Sequence, residues 1–103
     1  MPSHKSGSQP TRKAAEMLAI QALAFIAEEP QTLVRFLEAT GLEAVEIRTA
    51  ARQPGFLAGV LEHMLGDETL LLAFADRTGT DPAAVARAAS ALGGSGHWER
   101  DLP

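Results

Sequence analysis

The sequence predicts an all-α fold, a compact orthogonal bundle of five or six short helices, and three observations carry that reading. Of 47 apolar residues, 19 are Ala and 13 are Leu, while Val and Ile together number seven. Ala and Leu head the helix scale, whereas strands draw on β-branched and aromatic side chains. Pro and Gly stand between segments whose apolar residues recur with helical period. At 103 residues, 46% apolar and 21% charged, the chain has the length of one domain and the composition of a foldable one.

Each element can be justified in turn. Thr11 is placed to cap a first helix running to about Glu28, and Glu29-Pro30 restarts the chain, because Pro suits a first helical position and disfavours helix just before it. A second helix, about 30–39, puts Leu33, Phe36, Leu37 and Thr40 on one face and Gln31, Arg35 and Glu38 on the other. Gly41 sits where a left-handed cap belongs. Residues 43–52 are ambiguous: Val45, Ile47 and Thr49 alternate with Glu46 and Arg48 as in a strand, but one strand has nothing to pair with, so a third helix ending at Gln53-Pro54-Gly55 is preferred. The fourth helix buries Phe56, Leu57, Val60, Leu61, Met64 and Leu65, leaves Glu62 and His63 outside that stripe, and closes at Gly66. Asp67 caps the fifth, with Leu70, Leu71, Phe74 and Ala75 inward and Gly79 as its stop. Thr80-Asp81-Pro82 opens the sixth, which buries Val85, Ala88, Ala89 and Leu92 before Gly93-Gly94. The domain therefore covers residues 11–92, between a basic arm (1–10) and a tail (93–103), both expected to be flexible. Leu18, Phe25, Leu33 and Phe36 are expected in the core.

Shifting the chain by 38 residues sets Leu23 on Leu61, Leu33 on Leu71, Phe36 on Phe74, Thr40-Gly41 on Thr78-Gly79 and Ala50-Ala51 on Ala88-Ala89. This self-match admits a further reading, two related three-helix units, although helices of similar length and capping produce part of it.

Several stretches resemble a known bacterial family: Ala22-Leu23-Ala24-Phe25-Ile26-Ala27-Glu28-Glu29-Pro30, Arg35-Phe36-Leu37 with Thr40-Gly41-Leu42, Phe56-Leu57-Ala58-Gly59-Val60-Leu61, and Asp67-Glu68-Thr69-Leu70-Leu71-Leu72-Ala73-Phe74-Ala75. Over about residues 14–92 the chain is similar to the domain of unknown function 3572 family, short proteins mostly from alphaproteobacteria. The resemblance implies a cytoplasmic all-helical domain with no established activity, and it brings no catalytic or binding residues.

Charge and composition exclude several classes. The net charge of −4 divides into three basic residues and no acid over 1–13, five basic and eleven acidic over 14–92, and a net −1 beyond. An acidic body repels phosphate, and three charges on an arm give only a weak, salt-sensitive nucleic-acid contact. Without Cys there is no disulfide, thiol nucleophile or thiolate metal site. The apolar run from Met17 to Ala27 is 11 residues long and broken by Gln21, short of the ~20 that span a bilayer. Ala22-Leu23-Ala24 mimics a signal-peptidase site, but Glu16 and Gln21 break the apolar region before it, so no membrane association is expected and the cytoplasm is the expected location.

No phosphate loop, dinucleotide fingerprint or metalloprotease motif is present, and no cofactor is expected. His63 and Asp67 are four residues apart, but Asp67 is wanted as a cap, so His63 reads as a surface histidine rather than a metal ligand. The acids Glu28-Glu29 and Asp67-Glu68 lie at helix junctions, where a capping role is expected. Residues 74–87 have helix-turn-helix spacing, with Ala75 four before Gly79 and Val85 six after, and Arg77, Arg87 and Ser90 as candidate DNA contacts. Thr78 and Thr80 in place of apolar turn residues, and so few basic side chains, weigh against that reading. The first helix is apolar nearly all round, which suits a central helix or one that meets a partner. The preferred function is therefore a non-catalytic protein-interaction or adaptor module. Its surface for a protein partner or for self-association would include Met17, Ile20 and Trp98, with a nucleic-acid binder as the alternative and an enzyme third.

Overall fold

The structure is a computed structural model that describes residues 11–93. Six α-helices follow in order: α1 (Arg12–Glu28), α2 (Pro30–Thr40), α3 (Ile47–Ala50), α4 (Pro54–Leu65), α5 (Glu68–Thr78) and α6 (Pro82–Ala91). No strand occurs among the described residues. The arm over 1–10, Gly94 and the rest of the tail, with His4, His97 and Trp98, lie outside them.

Local chemistry sets the boundaries. Thr11 is extended and its Oγ1 accepts from the Ala14 amide at 3.0 Å. Asp67 and Asp81 do the same for Leu70 and Ala83. Pro30, Pro54 and Pro82 each occupy a first helical position after an extended residue. Gly41 and Gly79 end α2 and α5 at φ +76° and +72°, a region closed to most side chains. Gly66 closes α4 differently, with right-handed φ and its amide on the Glu62 carbonyl.

The segment read as one helix over 43–52 is divided. Residues Ala44–Glu46 form a 3₁₀ turn, and the four residues of α3 follow. Its start is a capping box in which Glu46 Oε1 accepts from the Glu43 amide at 2.9 Å. Pro54 forces Gln53 into extended backbone and so ends the turn of chain after α3. Neither piece buries a side chain fully, and the β-like alternation leaves Val45 80% exposed.

The core is a single cluster in which α1, α4 and α6 pack against one another, with α2 against α1 and α5 against α4. Its fully buried side chains include Phe36, Phe74, Ile26, Leu61, Met64, Val60 and Val85. Alanines supply the close contacts: Ala15, Ala19 and Ala22 of α1, Ala58 of α4, and Ala88 and Ala89 of α6 are all buried. Of the expected core residues Phe36 is sealed, whereas Leu18, Phe25 and Leu33 are half-buried at its edge. Thr40, expected inward, is exposed; its hydroxyl donates to the Phe36 carbonyl at 3.0 Å. Glu62 and His63, expected outside the α4 stripe, are half-buried, and Glu62 Oε2 is buried without a partner among the described residues.

The 38-residue relation has a structural counterpart. Helices α2 and α5 are both 11 residues long, begin 38 apart and end on left-handed glycines. In each, the last threonine donates to the carbonyl of the buried phenylalanine four before it, Thr40 to Phe36 and Thr78 to Phe74. Ring contacts cross between the halves. Phe25 of α1 meets Phe74 of α5 edge-on at 5.5 Å, and His63 of α4 meets Phe36 of α2 edge-on at 5.2 Å. Positions 25 and 63, like 36 and 74, are 38 apart, so the two contacts are equivalent under an approximate two-fold. The third members break the relation, because α6 packs on both α1 and α4 while α3 stays peripheral.

Candidate functional site

Two features of the surface could carry function. The first is the outer face of α1. Its inner face seals Ala15, Ala19, Ala22 and Ile26 and nearly seals Leu23. A helix that is apolar all round must then leave the rest of its apolar side chains in water. Met17 is 59% and Ile20 49% exposed, three residues apart and so side by side, with Ala14, Gln21, Ala24 and Ala27 also exposed. The sequence presented central burial and a partner surface as alternatives for this helix; the structure buries one face in the core and leaves the other in water. Met17 and Ile20 are brought together, and Trp98 lies outside the described residues.

The ends of α1 carry charges opposed to its dipole. Arg12 and Lys13 occupy the first turn, where partial positive charge gathers, and Glu28 the last, where it is negative. Glu28 Oε1 accepts from Arg77 Nη2 at 2.9 Å, and the Arg77 guanidinium lies 5.7 Å from the Phe25 ring centre. No described partner meets Arg12, Lys13 or Glu29 in an ion pair.

The second feature is a cleft of about 570 Å³ on the approximate two-fold, between the end of α1, the start of α2, the end of α4 and α5. Phe25 and His63, equivalent under the repeat, face it, as do Glu29 and Asp67, the residues before α2 and α5; the Asp67 side chain caps its helix, whereas the Glu29 side chain, expected to cap, does not. Arg35 and Arg77 balance the acids in part. The carboxylates have structural tasks: Glu28 holds Arg77, and Asp67 caps α5. Among the described residues no three His, Asp or Glu side chains gather as a metal site would require.

His63 corrects the expectation of a surface histidine. It is half-buried, and packing against Phe36 strips water from the ring; this holds its pKa below the ordinary 6.5, against the upward pull of the Asp67 carboxylate. The unfolded chain therefore takes up the proton first. Stability is full above about pH 6.5, falls as the pH drops from there to the lowered folded value, and is lost no further below it. Urea midpoints of the wild type should fall more between pH 7.5 and pH 5.5 than those of His63→Gln. Parallel curves for the two proteins would remove His63 from this role.

The segment with helix-turn-helix spacing spans the end of α5, the left-handed Gly79 and the start of α6. Thr78 Oγ1 donates to the Phe74 carbonyl and is 2.8 Å from Thr80 Oγ1, so the polar turn residues satisfy each other. Helix α6 spends Val85, Ala88 and Ala89 on the core, and Arg87 and Ser90 are its exposed polar groups. Arg77 is drawn to Glu28, at the end of α1.

The family model described as "Protein of unknown function (DUF3572)" matches residues 12–95, a span that takes in every helix. The chain belongs to the DUF3572 family. No curated protein and no solved structure matches it. No helix of this DUF3572 domain, among the described residues, is long and apolar enough to cross a membrane.

Sequence reasoning missed three further exposed apolar side chains, Val34, Val45 and Leu72. The signal for Leu72 was present: three consecutive leucines on a helix span about 200° of its circumference, more than one buried stripe covers. The cleft had no local signal, since its walls come from helices remote in sequence.

Proposed function

We propose that this DUF3572 protein is a non-catalytic, cytoplasmic protein-interaction module that meets a protein partner through the outer face of α1. One observation carries the reading: Met17 and Ile20 stand side by side in water on the helix whose opposite face builds the core. A rigid helix with an apolar stripe is a ready docking element, because its backbone is already ordered and the partner gains the apolar burial. Nothing favours nucleic acid comparably, with Arg77 held by Glu28 and Arg87 the single cation of α6.

A photo-crosslinking residue in place of Met17, activated in cells that make the protein, tests this. A discrete protein adduct is expected. The same residue in place of Val45, more exposed but on the peripheral 3₁₀ turn, should give none. An absence of adducts from position 17, or an equal yield from both positions, would overturn the interaction reading.

A further inference from the structure

We infer that the partner of the α1 outer face is a second copy of this chain, bound with the two α1 helices antiparallel. The inference rests on the interaction reading above and adds the identity and orientation of the occupant. Along the exposed side of α1, Lys13, Met17, Ile20, Ala24 and Ala27 are spaced four, three, four and three residues apart. That is the repeat of a helix–helix seam, and it lies opposite the buried seam of Ala15, Ala19, Ala22 and Ile26. The outer seam divides by size: Met17 and Ile20 are bulky, Ala24 and Ala27 small. An antiparallel copy centred between residues 20 and 21 sets Met17 of each helix against Ala24 of the other, bulky on small, and brings the two Ile20 side chains together at the centre.

Charge selects the same orientation. Arg12 and Lys13 begin the helix, Glu28 ends it and Glu29 follows as its C-cap residue; Glu28 already holds Arg77 within the chain, so Glu29 is the acid at that end with no described ion partner. Within one chain the first-turn bases and the last-turn acid oppose the helix dipole, and α1 lacks the compensating acid in its first turn and base in its last. In an antiparallel pair the basic end of each helix meets the acidic end of the other, and the dipoles align favourably. A parallel pair would stack like charge on like charge at both ends. Charges arranged against their own helix but in register for an inverted copy are a local conflict that pairing relieves.

Sedimentation equilibrium of the full chain over a concentration series tests this, with charge-reversed variants. The wild type should approach twice its 10.9 kDa as concentration rises. R12E/K13E and E28K/E29K should each weaken self-association about tenfold or more, because each places like charges at both ends of the pair. Mixed in equal amounts they should recover a heterodimer, since every end then meets its opposite. Circular dichroism checks that both variants are folded, since E28K also removes the ion pair with Arg77. A wild type that stays at monomer mass, reversals that leave the dimer unchanged, or a mixture that fails to associate would each overturn the second-copy inference. If the position-17 adduct contains a different protein while the chain sediments as a monomer, the inference falls and the interaction reading stands; if there is no adduct, both fall.

Discussion

Replacing either Phe36 or Phe74 by Ala is expected to leave the domain on the edge of unfolding. Both rings are completely buried, and each has an aromatic neighbour edge-on: Phe25 for Phe74, and Phe56 and His63 for Phe36. Truncating a buried Phe removes the transfer energy of the ring and leaves a cavity, a loss of about 3–5 kcal/mol. Domains of this size are stable by only about 5–15 kcal/mol in total, so one such change takes much of the margin. The approximate two-fold adds a sharper expectation. Phe36 and Phe74 hold equivalent positions in equivalent helices, so Phe36→Ala and Phe74→Ala should cost amounts within about 1 kcal/mol of each other, Phe36→Ala the larger because it also loses the edge-on contact with Phe56. Urea unfolding followed by circular dichroism measures both. A large inequality would show that the repeat is a likeness of outline without a likeness of packing.

The second large effect runs in the opposite direction, from adding atoms. The inner face of α1 meets α4 and α6 through alanines, and Ala22 is completely buried. Ala22→Leu has no void to enter and must push helices apart or take a strained rotamer, at about 1–3 kcal/mol. The same substitution at Ala86, exposed on α6, should change stability by less than about 0.5 kcal/mol. Thermal denaturation of the two variants separates crowding from any general intolerance of leucine. Equal, small shifts in Tm would mean that the alanine contacts are loose.

Much of this architecture is legible in the chain because caps are local. Thr11, Asp67, Gly41 and Gly79 act on amides and carbonyls within a few residues, and Pro30, Pro54 and Pro82 restrict only their immediate predecessors, so each boundary is written beside itself. Which side of α1 turns inward is not legible in the same way. Ala14, Ala24 and Ala27 are exposed while Ala15, Ala19 and Ala22 are sealed, and hydropathy does not distinguish them. Met17 and Ile20 are as apolar as Leu23 and Ile26, so periodicity shows two candidate faces and leaves the choice to tertiary packing. The burial of His63 was hidden for a related reason: its neighbour Phe36 is 27 positions away and belongs to another helix. The helix preferred over 43–52 is divided because a capping box and a 3₁₀ turn decide that segment, and neither is visible in the side-chain period. The cleft was encoded indirectly, since the 38-residue shift already paired position 25 with 63 and 36 with 74.

The packing of α6 on both α1 and α4 also bears on how the chain is made. The alanine face of α1 is complete once residue 28 is joined, but of the two helices that cover it, α4 and α6, the second ends at residue 91. At translation rates of about 5–20 residues per second, those two events are separated by roughly 3 to 13 s. Until the end of that interval the nascent chain carries an incompletely covered strip of small apolar side chains beside the ribosome. The helices made first are therefore the last to be secured, and the natural moment for a chaperone to hold this protein is before its sixth helix emerges.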